Sequence, residues 1–305
     1  MKRLYSRQSM AALTHCINKD NNMKNILLGI ILLCTPNLLA KSIQIEMEND
    51  VFSGGDRYYT HGTRITYEED QLQWFLQQNI YTPQDISIDT PIINDRPYAG
   101  LLCVGLRGTK QWYFNEYEIR RIYHQLEMSV GVVGKYSLAE QTQKLTHDWL
   151  DSRKPMGWDY QSNDRLWLHS SLIIYGEVIT TRYLNIRSLV LVDAGTVISD
   201  IGFGGEAMVG YNIPKYNDKP MISQNHDFSV YVFGSWIERH FFYNKFLESD
   251  YTDITIRKSV SETRVGIGAS YKMLYLQYGF VERGREFNEQ IENSTFGSIS
   301  IKVDI

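Results

Sequence analysis

Apolar and polar residues alternate along most of the chain, most clearly at its end. In FGSISIKVDI, Ile299, Ile301, Val303 and Ile305 fall on one side, and Ser298, Ser300, Lys302 and Asp304 on the other. Period two with one apolar and one polar side predicts a strand. Similar stretches recur at about 43–51, 60–69, 72–81, 97–108, 118–134, 165–180, 183–197, 200–213, 227–242, 259–271 and 273–285. With the last segment that makes about twelve strands, several longer than the roughly ten residues a tilted membrane-spanning strand needs. A soluble sandwich would turn the apolar sides onto a second sheet. A barrel turns them to lipid and lines its interior with the polar sides.

The connections favour the barrel. If strand 1 rises from the periplasm, the loops at about 52–59, 82–96, 135–164, 243–258 and 286–295 lie outside. The inner steps at residues 68–70, 180–181 and near Lys272 are short, with the connection near 214–226 an exception. Long outside and short inside is the outer-membrane pattern. The expected fold is therefore all-β: a transmembrane antiparallel barrel of about twelve strands, with short helical segments in the outer loops. Tyr58, Tyr59, Trp112, Tyr113, Trp158 and Tyr160 cluster near strand ends. Interfacial girdles and ordinary core packing both account for that.

Composition changes this picture little. The chain has 305 residues, a formal net charge of -4 and three cysteines. Beyond the N-terminal region no segment has the roughly 18 uninterrupted apolar residues of a membrane helix, which leaves a barrel open. Residues 23–40, MKNILLGIILLCTPNLLA, have the lysine, apolar run and small final residue of a secretory signal. Residues 1–40 thus read as an extension plus signal, with Met23 as the working start and cleavage after Ala40, and residues 41–305 as the barrel. Only Cys103 remains after such cleavage, so no internal disulfide framework is expected. The acidic balance argues against nucleic-acid binding.

Polar groups gather at one rim. Asn49 and Asp50 end strand 1 in IEMENDVF, and Thr60 begins strand 2. Parity places Gln44, Glu46, Glu48 and Asp50 on the wet side, and Ile43, Ile45 and Met47 towards lipid. If LAEQTQKLTHDWL in the third outer loop is helical, Gln143 and His147 are one turn apart on a shared face, while Gln141 points elsewhere. A carboxylate, an amide oxygen and a hydroxyl suit a hard cation such as calcium. Histidine side chains as a class titrate near neutrality and can take a proton from water. Together these are parts for ester hydrolysis. Taken singly, each has a plainer reading, as a hairpin cap or an exposed helix face.

At these residues the chain resembles the outer-membrane lipid A 3'-O-deacylase (LpxR) family. The likeness rests on END at 48–50, DRYYTHG at 56–62, DRPYAGLL at 95–102, QKLTH at 143–147 and GWDYQ at 157–161, in that order. It extends from about residue 42 to the C-terminus. It implies a monomeric twelve-stranded barrel in the outer membrane of a Gram-negative bacterium. Such a barrel removes the 3'-linked acyl chains of lipid A, from lipopolysaccharide in the outer leaflet, in a calcium-dependent reaction. Asp50 and His147 match the family's essential acid and histidine, and Asn49, Thr60 and Gln143 its supporting polar residues. Asp50, Asn49 and Thr60 are the expected cation ligands. The family can carry an acid soon after the histidine and a lysine in the second outer loop. Here Asp148 or Asp151 stand for the first, and Arg153 or Lys154 for the second.

Other groups read as structural. His61 has the opposite parity to the wet face and turns outward at the rim. His124, His169, His226 and His240 stand singly without metal-ligand spacing. Asp95 and Arg96 read as a loop-closing ion pair beside Pro97, and Cys103 as an inert mid-strand thiol. No G-x-S-x-G elbow is present, which argues against a serine lipase. An outer-membrane phospholipase and a non-catalytic porin or structural barrel remain the alternatives.

Overall fold

The computed structural model describes residues 41–53, 58–69, 72–113, 121–213 and 228–305. The extension and signal at 1–40, Asp56 and Arg57 of DRYYTHG, the side chains of Trp112 and Tyr113, His226 and the connection near 214–226 lie outside these residues.

Within them the alternation becomes twelve strands: β1 (Ser42–Asn49), β2 (Tyr58–Glu69), β3 (Leu72–Thr82), β4 (Ala99–Tyr113), β5 (Arg121–Val133), β6 (Arg165–Thr180), β7 (Leu184–Gly195), β8 (Ile198–Tyr211), β9 (Phe228–Asn244), β10 (Ser259–Tyr271), β11 (Leu274–Arg283) and β12 (Ser294–Asp304). Each pairs antiparallel with the next. β1 pairs β12 from Ser42↔Asp304 to Asn49↔Gly297, so the sheet closes on itself and leaves no edge. No helix among the described residues is long and apolar enough to cross a membrane. One α-helix, α1 (Ala139–Trp149), lies between β5 and β6.

The parity is as expected. On β1, Ile43, Ile45 and Met47 are exposed outward, opposite Val303, Ile301 and Ile299 of β12. The inward positions carry charge, and bonds between strands that are not neighbours cross the lumen. Arg64 of β2 and Arg107 of β4 both lie 2.8 Å from Glu127 of β5. Arg264 of β10 reaches Glu48 of β1 at 2.9 Å. Arg239 of β9 lies 2.6 Å from both Asp193 and Asp200. Charges shielded from bulk water must be paired, and a lumen filled this way is unlike a wide aqueous channel. About 210 Å³ of open space remains at its outer end, lined by Glu48, Tyr59, Arg96, Arg239, Glu262 and Arg283 among others.

Of the two readings left open for the strand-end aromatics, core packing holds for three residues, and some other expectations need correcting. Tyr58, Tyr59 and Trp158 are core residues, 1%, 3% and 1% exposed. The exposed aromatics on the outer wall are others, among them Trp74, Phe203 and Trp236. Arg96 does not close its loop with Asp95. Its guanidinium instead reaches Glu286 at 3.0 Å, tying the β3–β4 loop to the β11–β12 loop. Asp95 accepts backbone N–H bonds from Gln84 and Arg96, and burial raises its pKa against those bonds. The outer β7–β8 step, at residues 196–197, is tight, unlike the other outer connections. Finally, β1 ends at Asn49 and Asp50 opens a 3₁₀ turn to Ser53, so strand parity does not extend to Asp50.

Candidate active site

Two groups of predicted site residues stand at the outer rim, one on α1 against the lipid-facing side of the wall and one at the β1–β2 turn. On β3 the even positions face outward: Leu72 and Trp74 are exposed, and Gln78, Ile80 and Thr82 continue the row. On β4 the odd positions Ala99, Leu101 and Cys103 are buried inward, so Gly100 faces outward. A side chain at Gly100 would run into Ser137 Oγ and Ala139 Cβ. Glycine there lets the start of α1 rest directly on the wall. Gln78 Nε2 donates to the Ser137 carbonyl at 2.8 Å, a second attachment. Ile80, Ile86, Tyr98, Ala139 and Trp158 pack as an apolar cluster beneath. Leu138, at φ 59°, turns the chain from this mount into the helix.

Gln143 and His147 lie on the helix face that includes Ala139, as the four-residue spacing requires. Gln143 is 3% exposed. Its Oε1 accepts the indole N–H of Trp158 at 2.8 Å, which fixes the orientation of the amide. Its Nε2 is buried without a hydrogen-bond partner. A buried donor left open costs about 1–3 kcal/mol, so an acceptor arriving there is stabilised. His147 is half-buried, and its Nδ1 lies 2.5 Å from the Arg153 carbonyl. A carbonyl only accepts, so Nδ1 carries the proton and Nε2 of the neutral ring keeps its lone pair. That is the tautomer of a general base, oriented from behind.

The other residues come from the β1–β2 turn. Asn49 Oδ1 accepts the Val51 N–H at 2.8 Å, capping the 3₁₀ turn, and its Nδ2 lies 3.5 Å from His61 Nδ1. His61 also meets Thr63 Oγ1 at 2.7 Å, so this imidazole belongs to the outward row of β2 as its parity requires. Asp50 is fully buried. Thr60 is the extra residue of a β-bulge: Tyr59 pairs Tyr81 and His61 pairs Ile80, with Thr60 between them. Bulges re-aim side chains beside functional sites. Here the bulge brings Thr60 Oγ1 within 2.6 Å of Thr82 Oγ1, both buried.

The two groups join through the wall: His61 pairs Ile80, and Ile80 packs in the cluster that holds Ala139 and Trp158. Their own side-chain bonds are local, Gln143 to Trp158 and His147 to Arg153 on one side, Thr60 to Thr82 on the other. Among the described residues there is no group of three or more His, Cys, Asp or Glu side chains that could hold a metal ion. The oxygens of Asp50, Asn49 and Thr60 are nonetheless the hard donors a cation such as calcium takes, one of them a fully buried carboxylate. Asn49 Oδ1 and Thr60 Oγ1 each already hold a bond but retain lone-pair capacity.

Sequence reasoning missed the supports. Thr82, Trp158, Gln78 and the Arg153 carbonyl hold Thr60, Gln143, α1 and His147 respectively. Only Trp158 had a local signal, inside the GWDYQ stretch, and periodicity does not reveal that its indole meets a glutamine fifteen residues earlier. Asp148 and Lys154, both exposed, pair with each other at 3.3 Å.

A comparison with curated proteins finds no match. Among solved structures, LpxR from Salmonella typhimurium aligns with a TM-score of 0.74 at 19% identity, covering 87% of this chain and all of that one. The KdgM porin in complex with disordered oligogalacturonate aligns at 0.40 and 9% identity, covering 87% of this chain and 99% of that one. The β domain of the Bordetella autotransporter BrkA aligns at 0.40 and 7%, covering 87% and 98%. At these identities the first likeness speaks to the fold, a closed outer-membrane barrel. Residues 26–305 match the family described as outer membrane protein LpxR, and the chain belongs to that family.

Proposed function

We propose that this outer-membrane barrel is a lipid A 3'-O-deacylase, with His147 as general base, Gln143 as oxyanion donor and Asp50 as the essential acid. The observation that carries the reading is the mounting of Gln143 and His147 on the lipid-facing side of the wall, through Gly100, Ser137 and Ala139. An ester embedded in the outer leaflet reaches that side without leaving the bilayer. A site in the lumen would be walled off from lipid by the sheet. Family membership supports the same substrate.

In this mechanism His147 Nε2 takes a proton from water as the oxygen attacks the 3'-ester carbonyl. The Arg153 carbonyl stabilises the imidazolium that forms, through Nδ1–H. Gln143 Nε2 donates to the oxygen that becomes negative, a bond its open donor is set to make. The proton on His147 then passes to the departing sugar oxygen, releasing the fatty acid and the 3'-hydroxyl. Calcium, held by Asp50 with Asn49 and Thr60, would add positive charge that polarises the carbonyl.

The test is mass spectrometry of lipid A incubated with purified protein, with calcium or with chelator. Loss of the 3'-acyl chains with calcium only is expected, and His147→Ala and Asp50→Ala should each slow release by about 10²–10⁴-fold. Unchanged rates in both variants would refute the assignment. Offering phosphatidylethanolamine in place of lipid A separates this reading from a phospholipase, and the cross-lumen pairs already weigh against a porin.

A further inference from the structure

α1 has three faces. At about 100° per residue, Ala139, Gln143 and His147 form the face towards the wall. Glu140, Gln141, Lys144 and Asp148 form a polar face, with Lys144 and Glu140 paired along it. The third face carries Leu145 and Trp149, which are 50% and 84% exposed, and the half-buried Thr142, beside the exposed Thr146; Leu138, just before the helix, is 47% exposed. Leu150, just beyond the helix, is 58% exposed. A short helix that leaves its largest apolar side chains uncovered while burying a glutamine is the reverse of a water-soluble surface helix.

Its seat supplies the occupant of that face. Gly100, on which α1 begins, heads an outward row on β4 that continues through Leu102 and Val104. Val104 pairs with Val130, and both are about half exposed on the lipid-facing wall. The helix that bears the bare stripe is therefore seated on a wall that lipid covers. A wall face, a charged face and an apolar face on one helix are the makings of an element lying in the membrane interface.

We propose that α1 is an interfacial helix whose Leu145–Trp149 face lies among the acyl chains of the outer leaflet, holding Gln143 and His147 at ester depth. The placement rests on the outer-membrane location. Its bearing on ester chemistry rests on the deacylase reading, so the two can fail separately.

Trp149 is its own reporter. The emission difference between the protein and Trp149→Phe is measured in vesicles of phosphatidylcholine brominated on the acyl chains, with aqueous iodide as the opposing quencher. The Trp149 component is expected to lose most of its intensity to brominated chains and little to iodide. Quenching by iodide, or by neither, overturns the proposal, the second outcome meaning that protein covers the stripe. Should Trp149→Phe fail to insert, Leu145→Trp is read against Trp149→Leu by the same criteria. A protein that hydrolyses no lipid A yet shows the expected quenching would refute the deacylase reading and leave the interfacial helix standing.

Discussion

Inside the cylinder, Arg64 of β2 reaches Glu127 of β5 and Arg264 of β10 reaches Glu48 of β1, pairs that skip two strands and brace the wall across its width. On the lipid-facing rim the bonds are local: Thr60 to Thr82, Gln143 to Trp158, His147 to the Arg153 carbonyl. The difference teaches what each set of polar groups is for. Lumen charges stabilise by satisfying one another over distance. On α1, Gln143 and His147 are each oriented by one side-chain bond, and Gln143 keeps its Nε2 donor open.

That contrast can be broken from either side. Glu127→Ala leaves Arg64 and Arg107 in the lumen without their shared carboxylate, and should lower unfolding stability by about 3 kcal/mol or more. Thermal unfolding in detergent reads this loss, and lipid A hydrolysis well below the transition should stay near wild type. An equal loss of activity would mean that the lumen and the rim are coupled.

Gln143→Met preserves length but removes the open donor. It should cost about 10²–10³-fold in kcat if the donor meets the oxyanion, with the melting temperature shifted only slightly. A variant that loses stability but not kcat would reduce Gln143 to a partner for Trp158.

Gly100→Ala tests the mount itself. The new methyl meets Ser137 and Ala139, so α1 must move off the wall at a cost of about 1–3 kcal/mol. Activity should fall while the barrel's folded band on cold gel electrophoresis persists. A wild-type rate would show that the wall contact does not position the helix.

Much of the molecule was legible from alternation. The C-terminal segment read as Ile299, Ile301, Val303 out and Ser298, Ser300, Lys302 in has that arrangement in β12. The helix around QKLTH also appears, as Ala139–Trp149. Aromatic placement was not legible, because a tyrosine at a strand end packs equally well in a core or at an interface: Tyr59 lies against Tyr81 and Phe296, not at the surface. The Asp95–Arg96 pair failed for a related reason. Sequence neighbours look like partners, but Glu286, 190 residues away, is the nearer acid once the loops fold together.

The sequence by itself determined the strand count, the inward and outward sides of each strand, the rim that holds the polar residues and the helical face shared by Gln143 and His147. These follow from periods of two and 3.6 residues, which are local and written in the chain. Only the tertiary structure decided that the β5–β6 connection lies against the outside of the wall, that Thr60 is thrown out of register by a bulge, and that Trp158 and Arg153 orient the two helical side chains. Those outcomes depend on which distant surfaces fit together. A glycine at position 100 matters because of what lands on it, and no local period carries that information.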